Sequence, residues 1–189
     1  MAATEPIRDK KNLKKLADYF ISRGQYRNYL LLVVCAHTAL RISDILRLKW
    51  KDVYDEEREE FRSHLDITEK KTGKTKSVAL HPKLIAALEL YLPYRRGDFI
   101  FAGNRRNMAP ISRVQAWRIL RDAAEAVGLG VKVSAHALRK TFGYCVWNDG
   151  VSPVIIMDIF NHSSYEVTRR YLGLVQEDLD TAYLGVAMF

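Results

Sequence analysis

The segment SAHALRKTF, Ser134 to Phe142, sets His136 and Arg139 three residues apart at the start of an amphipathic stretch. On a helix, positions i and i+3 are neighbours, so an imidazole and a guanidinium so spaced can meet at one anion. Ser134 fits the N-cap of that helix, whose positive end would face the same place. Alone, His-x-x-Arg is a common pattern, and its plain reading is a solvated helix face. Three further segments carry groups of the same kind. TALRISDIL holds Arg41 and, one turn on, Asp44; KKTGKTK holds Lys70, Lys71, Lys74 and Lys76; NHSSYEVTRRY holds His162 and, nine positions later, Tyr171. Guanidiniums bind anionic oxygens in pairs, imidazoles and ammoniums move protons, and a phenol becomes a nucleophile once its proton is taken.

Helices must position most of these groups. Asp9 fits the cap of a first helix with Leu13, Leu16, Ala17 and Phe20 on one face, ending near Gly24. The nearly all-apolar YLLLVVCAHTAL predicts a second helix buried at the centre, with Arg41 at its junction to a short third helix that Ser43 can cap. Between Val53 and Leu80 the period changes to two, with Leu65 and Ile67, then Val78 and Leu80, alternating with polar residues around a turn that carries Gly73. This is a small antiparallel sheet. Pro82 starts a helix through Tyr91, and Ser112 opens another that Gly128 closes; Gly97 to Pro110 between them reads as an exposed loop. Ser134 to Gly150 bounds the next helix, Ser152-Pro153 starts another, and Ser163-x-x-Glu166 has the capping-box pattern for the helix with Thr168 and Tyr171. The tail from Asp178 to Phe189 is helix-compatible. The fold class is therefore mainly α with a small antiparallel β-sheet.

Bulk properties narrow the partners. With 189 residues, 48% apolar and 11% aromatic, the chain suits one domain with a real core. A net charge of +8, spread as pairs such as Lys10-Lys11, Lys14-Lys15, Arg95-Arg96, Arg105-Arg106 and Arg169-Arg170, suits a polyanion, nucleic acid first and acidic membrane second. No apolar run reaches the roughly 18 residues of a membrane span and no signal peptide is evident, so a cytoplasmic location is expected. Cys35 and Cys145 read as buried reduced thiols, and the five histidines and two cysteines lack zinc-type spacing, so no metal is expected.

Taken together, the boxes TALRISDIL, HALRKTF and NHSSYEVTRRY, in this order and with a lysine-bearing hairpin between the first two, resemble the catalytic domain of the tyrosine recombinases, the phage-integrase family. The resemblance runs over nearly the whole chain. It implies the tyrosine recombinase catalytic-domain fold and a recombinase or integrase of phage or mobile-element type that cleaves and rejoins DNA through a 3′-phosphotyrosyl intermediate. Arg41 and Arg139 would bind the non-bridging phosphate oxygens and Tyr171 would be the nucleophile. His136 would assist proton transfer at the tyrosine, and His162 would donate to the phosphate. Alignment of KKTG assigns the general acid to Lys71, with Lys70, Lys74 and Lys76 in or beside the same turn. Asp44 would brace the site by pairing with a nearby base. Lys74, Arg105 and Arg106 would grip the DNA backbone, so affinity would fall with salt. Because the tyrosyl ester retains the bond energy, neither ATP nor a metal is implied.

The sequence departs from the family pattern in three ways. Phe160-Asn161 stand where Leu-Gly commonly precede the second histidine, which bears on the turn there. The family's N-terminal core-binding domain is absent from residues 1–189, which read as one catalytic domain. Residues 178–189 are a tail that docks either in trans on a neighbouring protomer or back in cis. The partner expected is double-stranded DNA, with four copies assembled in synapsis and a monomer in free solution. Three other readings compete: a type IB topoisomerase-like relaxing enzyme, a DNA-binding module of the same fold without cleavage, and a small-molecule phosphodiesterase. The last leaves the basic pairs unexplained.

Overall fold

The computed structural model describes residues 4–104 and 106–187. Among the described residues ten α-helices and four short strands follow one another in the order α1 (Lys10–Ile21), α2 (Tyr26–His37), α3 (Ile42–Ile45), α4 (Trp50–Val53), β1 (Tyr54–Asp55), β2 (Glu60–Phe61), β3 (His64–Thr68), β4 (Thr75–Ala79), α5 (Pro82–Tyr91), α6 (Arg113–Ala126), α7 (Ala135–Asn148), α8 (Pro153–Phe160), α9 (Tyr165–Leu172) and α10 (Gln176–Leu184). The α2 helix is the axis. Leu30 through Cys35 are all buried along it, and it packs against α1, α5 and α7. Its uniform apolar character requires cover on every side.

Local chemistry sets most of the boundaries. Asp9, Ser112 and Ser134 each accept a backbone N–H at the start of α1, α6 and α7, at 2.8, 3.1 and 3.1 Å. These are the caps expected from the sequence. Two expected caps are not used. Arg41, not Ser43, is the N-cap of α3, and Ser164, not Ser163, precedes α9 without a side-chain cap bond. In place of one sheet there are two separate antiparallel ladders, β1 with β2 and β3 with β4. The loop from Gly97 to Pro110 is exposed only in part, because Ile100, Phe101 and Ala102 are buried in it. Cys35 is buried and its thiol is pushed up to about 12 by burial; Cys145 is half-buried. Both are free thiols.

Two apolar clusters result. The larger gathers α1, α2, the β3–β4 hairpin and α5 to α7 around residues such as Leu31, Ile45, Leu65, Phe101 and Leu138. The smaller consists of Ala39, Ile156, Phe160 and Leu172, with Tyr171 packed on it. Gly143 lets α7 and α8 approach, since a Cβ there would lie 2.6 Å from the Phe160 ring. No helix among the described residues is long and apolar enough to cross a membrane.

Candidate active site

Arg139 lies where the two clusters meet. It projects from the first half of α7 and is 2% exposed. One of its terminal nitrogens donates to the carbonyl of Ala39 and the other to that of Phe160, the latter at 2.9 Å. Ala39 adopts φ +53°, a left-handed conformation that L-residues reach at a cost of roughly 1–2 kcal/mol. The strained residue is thus one whose carbonyl accepts from Arg139. Burial first of all, then the nearby Arg41, lower the guanidinium pKa to about 10 against the opposing pull of Tyr171 and Glu69. Arg139 therefore remains a cation at neutral pH.

Arg41 stands at the turn between α2 and α3, and its Nη1 donates to Glu69 Oε2 at 2.5 Å. Glu69 ends the inward-facing row of β3 and its side chain is 0% exposed. The same oxygen accepts from Thr72 Oγ1 at 2.9 Å and from Asn161 Nδ2 at 3.1 Å, and Lys76 Nζ lies 3.4 Å from Oε1. Burial alone would raise this carboxyl; the bonds from Thr72, Arg41 and Asn161 and the charge of Lys76 overcome it and hold the pKa at about 2. Lys76 also donates to the Ile159 carbonyl at 2.9 Å, and burial lowers its pKa.

The helix pair α8–α9 brings up the remaining groups. Asn161 closes α8 in the left-handed region, φ +56°, a conformation that glycine or asparagine supplies. Asn161, standing where the family pattern has glycine, thus takes a conformation open to either residue. His162 Nδ1 lies 3.0 Å from the Oγ1 of buried Thr168, and burial, Arg139 and Arg41 lower its pKa to about 4. Its ring is 4.6 Å from that of Tyr171, centroid to centroid, and His136 meets the same phenol ring edge-on at 5.1 Å. The Arg139 Cζ is 6.0 Å from the Tyr171 ring centre. His136 is exposed at the rim, and its pKa is lowered by burial of part of its ring and by Lys140 and Arg139.

Arg41, His136, Arg139, His162 and Tyr171, expected from separate segments, thus converge on one face within one chain. Asp44 also belongs to this region, but its partner differs from the one expected: Oδ1 accepts from the backbone N–H of Lys70 at 3.0 Å, not from a basic side chain. Lys71 and Lys74 are exposed in the hairpin turn, and among the described residues neither side chain bonds to the cluster. Lys71 nevertheless sits between two tethered neighbours, Lys70 on Asp44 and Thr72 on Glu69. Arg106 is exposed in the α5–α6 loop, and Arg105 lies outside the described residues.

Glu69, Lys76, Asn161, Thr168 and Lys140 are the groups that sequence reasoning did not place in the site. A signal existed for the first two. The alternation of Leu65 and Ile67 carries inward to Glu69, and that of Leu80 and Val78 carries inward to Lys76, which pairs with Ile67 across the ladder. Lys140 follows Arg139 in the same box; it is 8% exposed, with Nζ 5.7 Å from the Tyr171 ring centre. Among the described residues no group of three or more histidine, cysteine or carboxylate side chains gathers to hold a metal.

Comparison with known proteins gives one consistent answer. The model of the Phage integrase family matches residues 8–177. The probable integrase/recombinase YoeC of Bacillus subtilis is 35% identical over 184 residues, covering 97% of each chain. Tyrosine recombinase XerA of Pyrococcus furiosus is 27% identical over 175 residues, which are 91% of this chain but 58% of that protein. Among solved structures, that of XerA recombinase superposes with a TM-score of 0.78 at 26% identity, covering 97% of this chain and 66% of the other. The chain therefore spans nearly all of one relative and a little over half of another.

Proposed function

Because the chain belongs to the phage integrase family, we propose that it breaks and rejoins DNA strands through a phosphotyrosyl intermediate built on Tyr171. The observation that supports this most is the setting of that phenol, whose ring lies 4.6 Å from His162 and 5.1 Å from His136, with the Arg139 guanidinium at 6.0 Å. A phosphate held by Arg139 and Arg41 would lie beside the attacking oxygen.

The chemistry follows from the groups. Two guanidiniums offset the charge that grows on the non-bridging oxygens as the phosphorus becomes five-coordinate. A Thr168 hydroxyl donating to Nδ1 of His162 leaves the ring proton on Nε2, and the neutral imidazole then donates to a phosphate oxygen. The Tyr171 proton passes to His136, whose lowered pKa keeps it free to act as a base at neutral pH. The new bond joins Tyr171 Oη to phosphorus; the P–O5′ bond breaks, and the departing oxygen takes a proton from Lys71 at the rim. Attack by a 5′-hydroxyl reverses the sequence on the same or another strand, so no external energy source enters.

Double-stranded DNA is the partner this chemistry requires, and Lys74 and Arg106 are placed on exposed turns where they would meet its backbone. Exchange between two duplexes calls for four copies. The α10 helix supports such an assembly: it buries no side chain in its own chain, and Tyr183 and Leu184 are 80% and 86% exposed, ready to dock on a neighbour. The matched relatives are named recombinases and integrases, which favours exchange over relaxation of supercoils.

The deciding experiment incubates the protein with a nicked duplex that lets the 5′-fragment diffuse away. A denaturation-resistant protein to DNA adduct is expected from wild type and none from Tyr171→Phe. An adduct from that variant removes Tyr171 as nucleophile.

A further inference from the structure

The mechanism above makes no use of Glu69, yet this is the most heavily bonded buried ionisable group near the site. Its side chain is 0% exposed, and its contacts come from three separate parts of the chain: Arg41 before α3, Thr72 and Lys76 in the hairpin, and Asn161 after α8. Backbone bonds fix it further, since its N–H donates to the Lys74 carbonyl and its own carbonyl accepts from Gly73, at 3.0 and 2.9 Å. The turn holding Lys71 is thereby closed on Glu69 at both ends.

We propose that Glu69 is a positioning residue for strand cleavage: one buried carboxylate ties Arg41 to the turn that carries Lys71, fixing the group that binds the phosphate relative to the group that protonates the leaving oxygen. The proposal rests on the strand-transfer reading and adds a residue to it. Two alternatives fit the geometry less well. A carboxylate that competes with DNA for Arg41 would have to be displaced by phosphate, but Glu69 has no exposed surface and Arg41 gives it Nη1 alone. Among the described residues the Nε and Nη2 of Arg41 have no hydrogen-bond partner, which leaves a two-donor edge for the substrate. A mere fold strut would not need a charge. Here the charge offsets Arg41, Lys76 and Arg139, which would otherwise repel one another across the cluster; Glu69 counters the lowering of pKa at both Lys76 and Arg139.

The test compares two variants on two substrates under single turnover at saturating DNA. One substrate is a normal duplex. In the other, sulfur replaces the scissile bridging 5′-oxygen, so the leaving group departs without a proton. Glu69→Gln keeps the shape and removes the charge; it should slow cleavage of normal DNA by at least about tenfold, the lower end for losing proton donation together with a displaced phosphate ligand. Its loss on the sulfur substrate should be smaller, the remainder acting through Arg41, and its affinity for uncleaved DNA should change less than about threefold. Thr72→Val alters an exposed residue and cuts the strut from Glu69 to the lysine turn, together with a 3.4 Å bond from the Lys74 N–H inside that turn, so folding is not at issue. It should slow normal DNA by about three- to tenfold and leave the sulfur substrate within twofold. A Glu69→Gln rate within twofold of wild type on normal DNA overturns the proposal, as does a loss by either variant that is equal on both substrates. If wild type forms no adduct with either substrate, the strand-transfer reading fails and takes the proposal with it; normal wild-type cleavage with unaffected variants sinks the proposal alone.

Discussion

The arginine half and the tyrosine half of the site rest on very different foundations. Arg41, Glu69 and the start of α7 stand on the large core, in which α2 is enclosed on all sides by α1, α5 and α7. Tyr171 and His162 stand on α8 and α9, whose own core is the small group Ala39, Ile156, Phe160 and Leu172. Local opening costs less where less apolar surface is buried, so the half that carries Tyr171 is held more loosely than the half that carries Arg41. Arg139 is the seam. It projects from α7 and bonds the carbonyls of Ala39 and Phe160, both members of the small group, so it ties the base of α7 to the tyrosine half.

Breaking the seam should have the largest effect. Arg139→Ala removes a transition-state donor, worth about 10²- to 10³-fold in cleavage, and leaves two buried carbonyls unpaired at about 1–3 kcal/mol each. Single-turnover adduct formation and thermal melting should therefore both fall. A cleavage rate within tenfold of wild type would mean that the cation is structural only. Next comes the packing of the tyrosine half. Gly143→Ala pushes a methyl to 2.6 Å from the Phe160 ring, which must shift; overpacking of this kind costs about 1–3 kcal/mol. Hydrogen exchange should quicken in α8 and α9 while α2 keeps its protection. Equal loss of protection in both would show one cooperative unit and remove the contrast.

The sequence made the two halves unequally legible. Arg41, His136, Arg139, His162 and Tyr171 were readable because the boxes TALRISDIL, HALRKTF and NHSSYEVTRRY resemble, in order and spacing, those of the tyrosine recombinases; helix signals such as the Ser134 cap placed these residues without singling them out. The large core was equally plain in the apolar run of α2. The struts were harder, because they are made by residues whose types usually signal surface. Glu69 and Lys76 read as hairpin charges until the inward register of Leu65, Ile67, Val78 and Leu80 is extended by one step on each strand. Asp44 gave the opposite error: a carboxylate near basic residues suggested a side-chain pair, whereas it accepts a backbone N–H. Non-local backbone bonds leave no periodicity to read. Ala39 illustrates the same limit, since nothing in its local sequence announces a left-handed residue whose carbonyl meets Arg139 one hundred positions later.

Acidification tests the neutral imidazoles, His162 of the tyrosine half above all. Burial, Arg139 and Arg41 lower the pKa of His162 from 6.5 to about 4, and burial first of all lowers those of His37 and His136. As pH falls from 6.5 to 4, the unfolded chain binds protons that the folded chain refuses, so stability declines across that window and is fully present above it. Melting temperature should be lower at pH 5 than at pH 7.5, and His162→Gln should reduce the difference. A flat or inverted profile would place a charged His162 beside Arg139 and overturn the role given to its neutral form.

The smallest effect concerns a strap over the tyrosine half. The N-terminal segment crosses α7, where the Ile7 N–H donates to Thr141 Oγ1 at 2.8 Å. Arg8 continues it, lying over the Tyr144 ring at 4.6 Å, donating to the Gly173 carbonyl at 2.6 Å and pairing with Asp178 at 3.2 Å. Gly173 ends α9 two residues after Tyr171, so the strap holds the helix of Tyr171 from outside. Because the Arg8 side chain is 36% exposed, its ion pair is screened and is worth at most about 1 kcal/mol. Arg8→Ala should therefore barely change melting, yet raise hydrogen exchange in α9 and α10 and leave α2 untouched. Raising the salt concentration should weaken the ion pair in wild type and bring its exchange toward that of the variant. If α9 exchanges no faster in Arg8→Ala, the small core alone holds the tyrosine, and the tyrosine half is less loosely held than its few buried side chains imply.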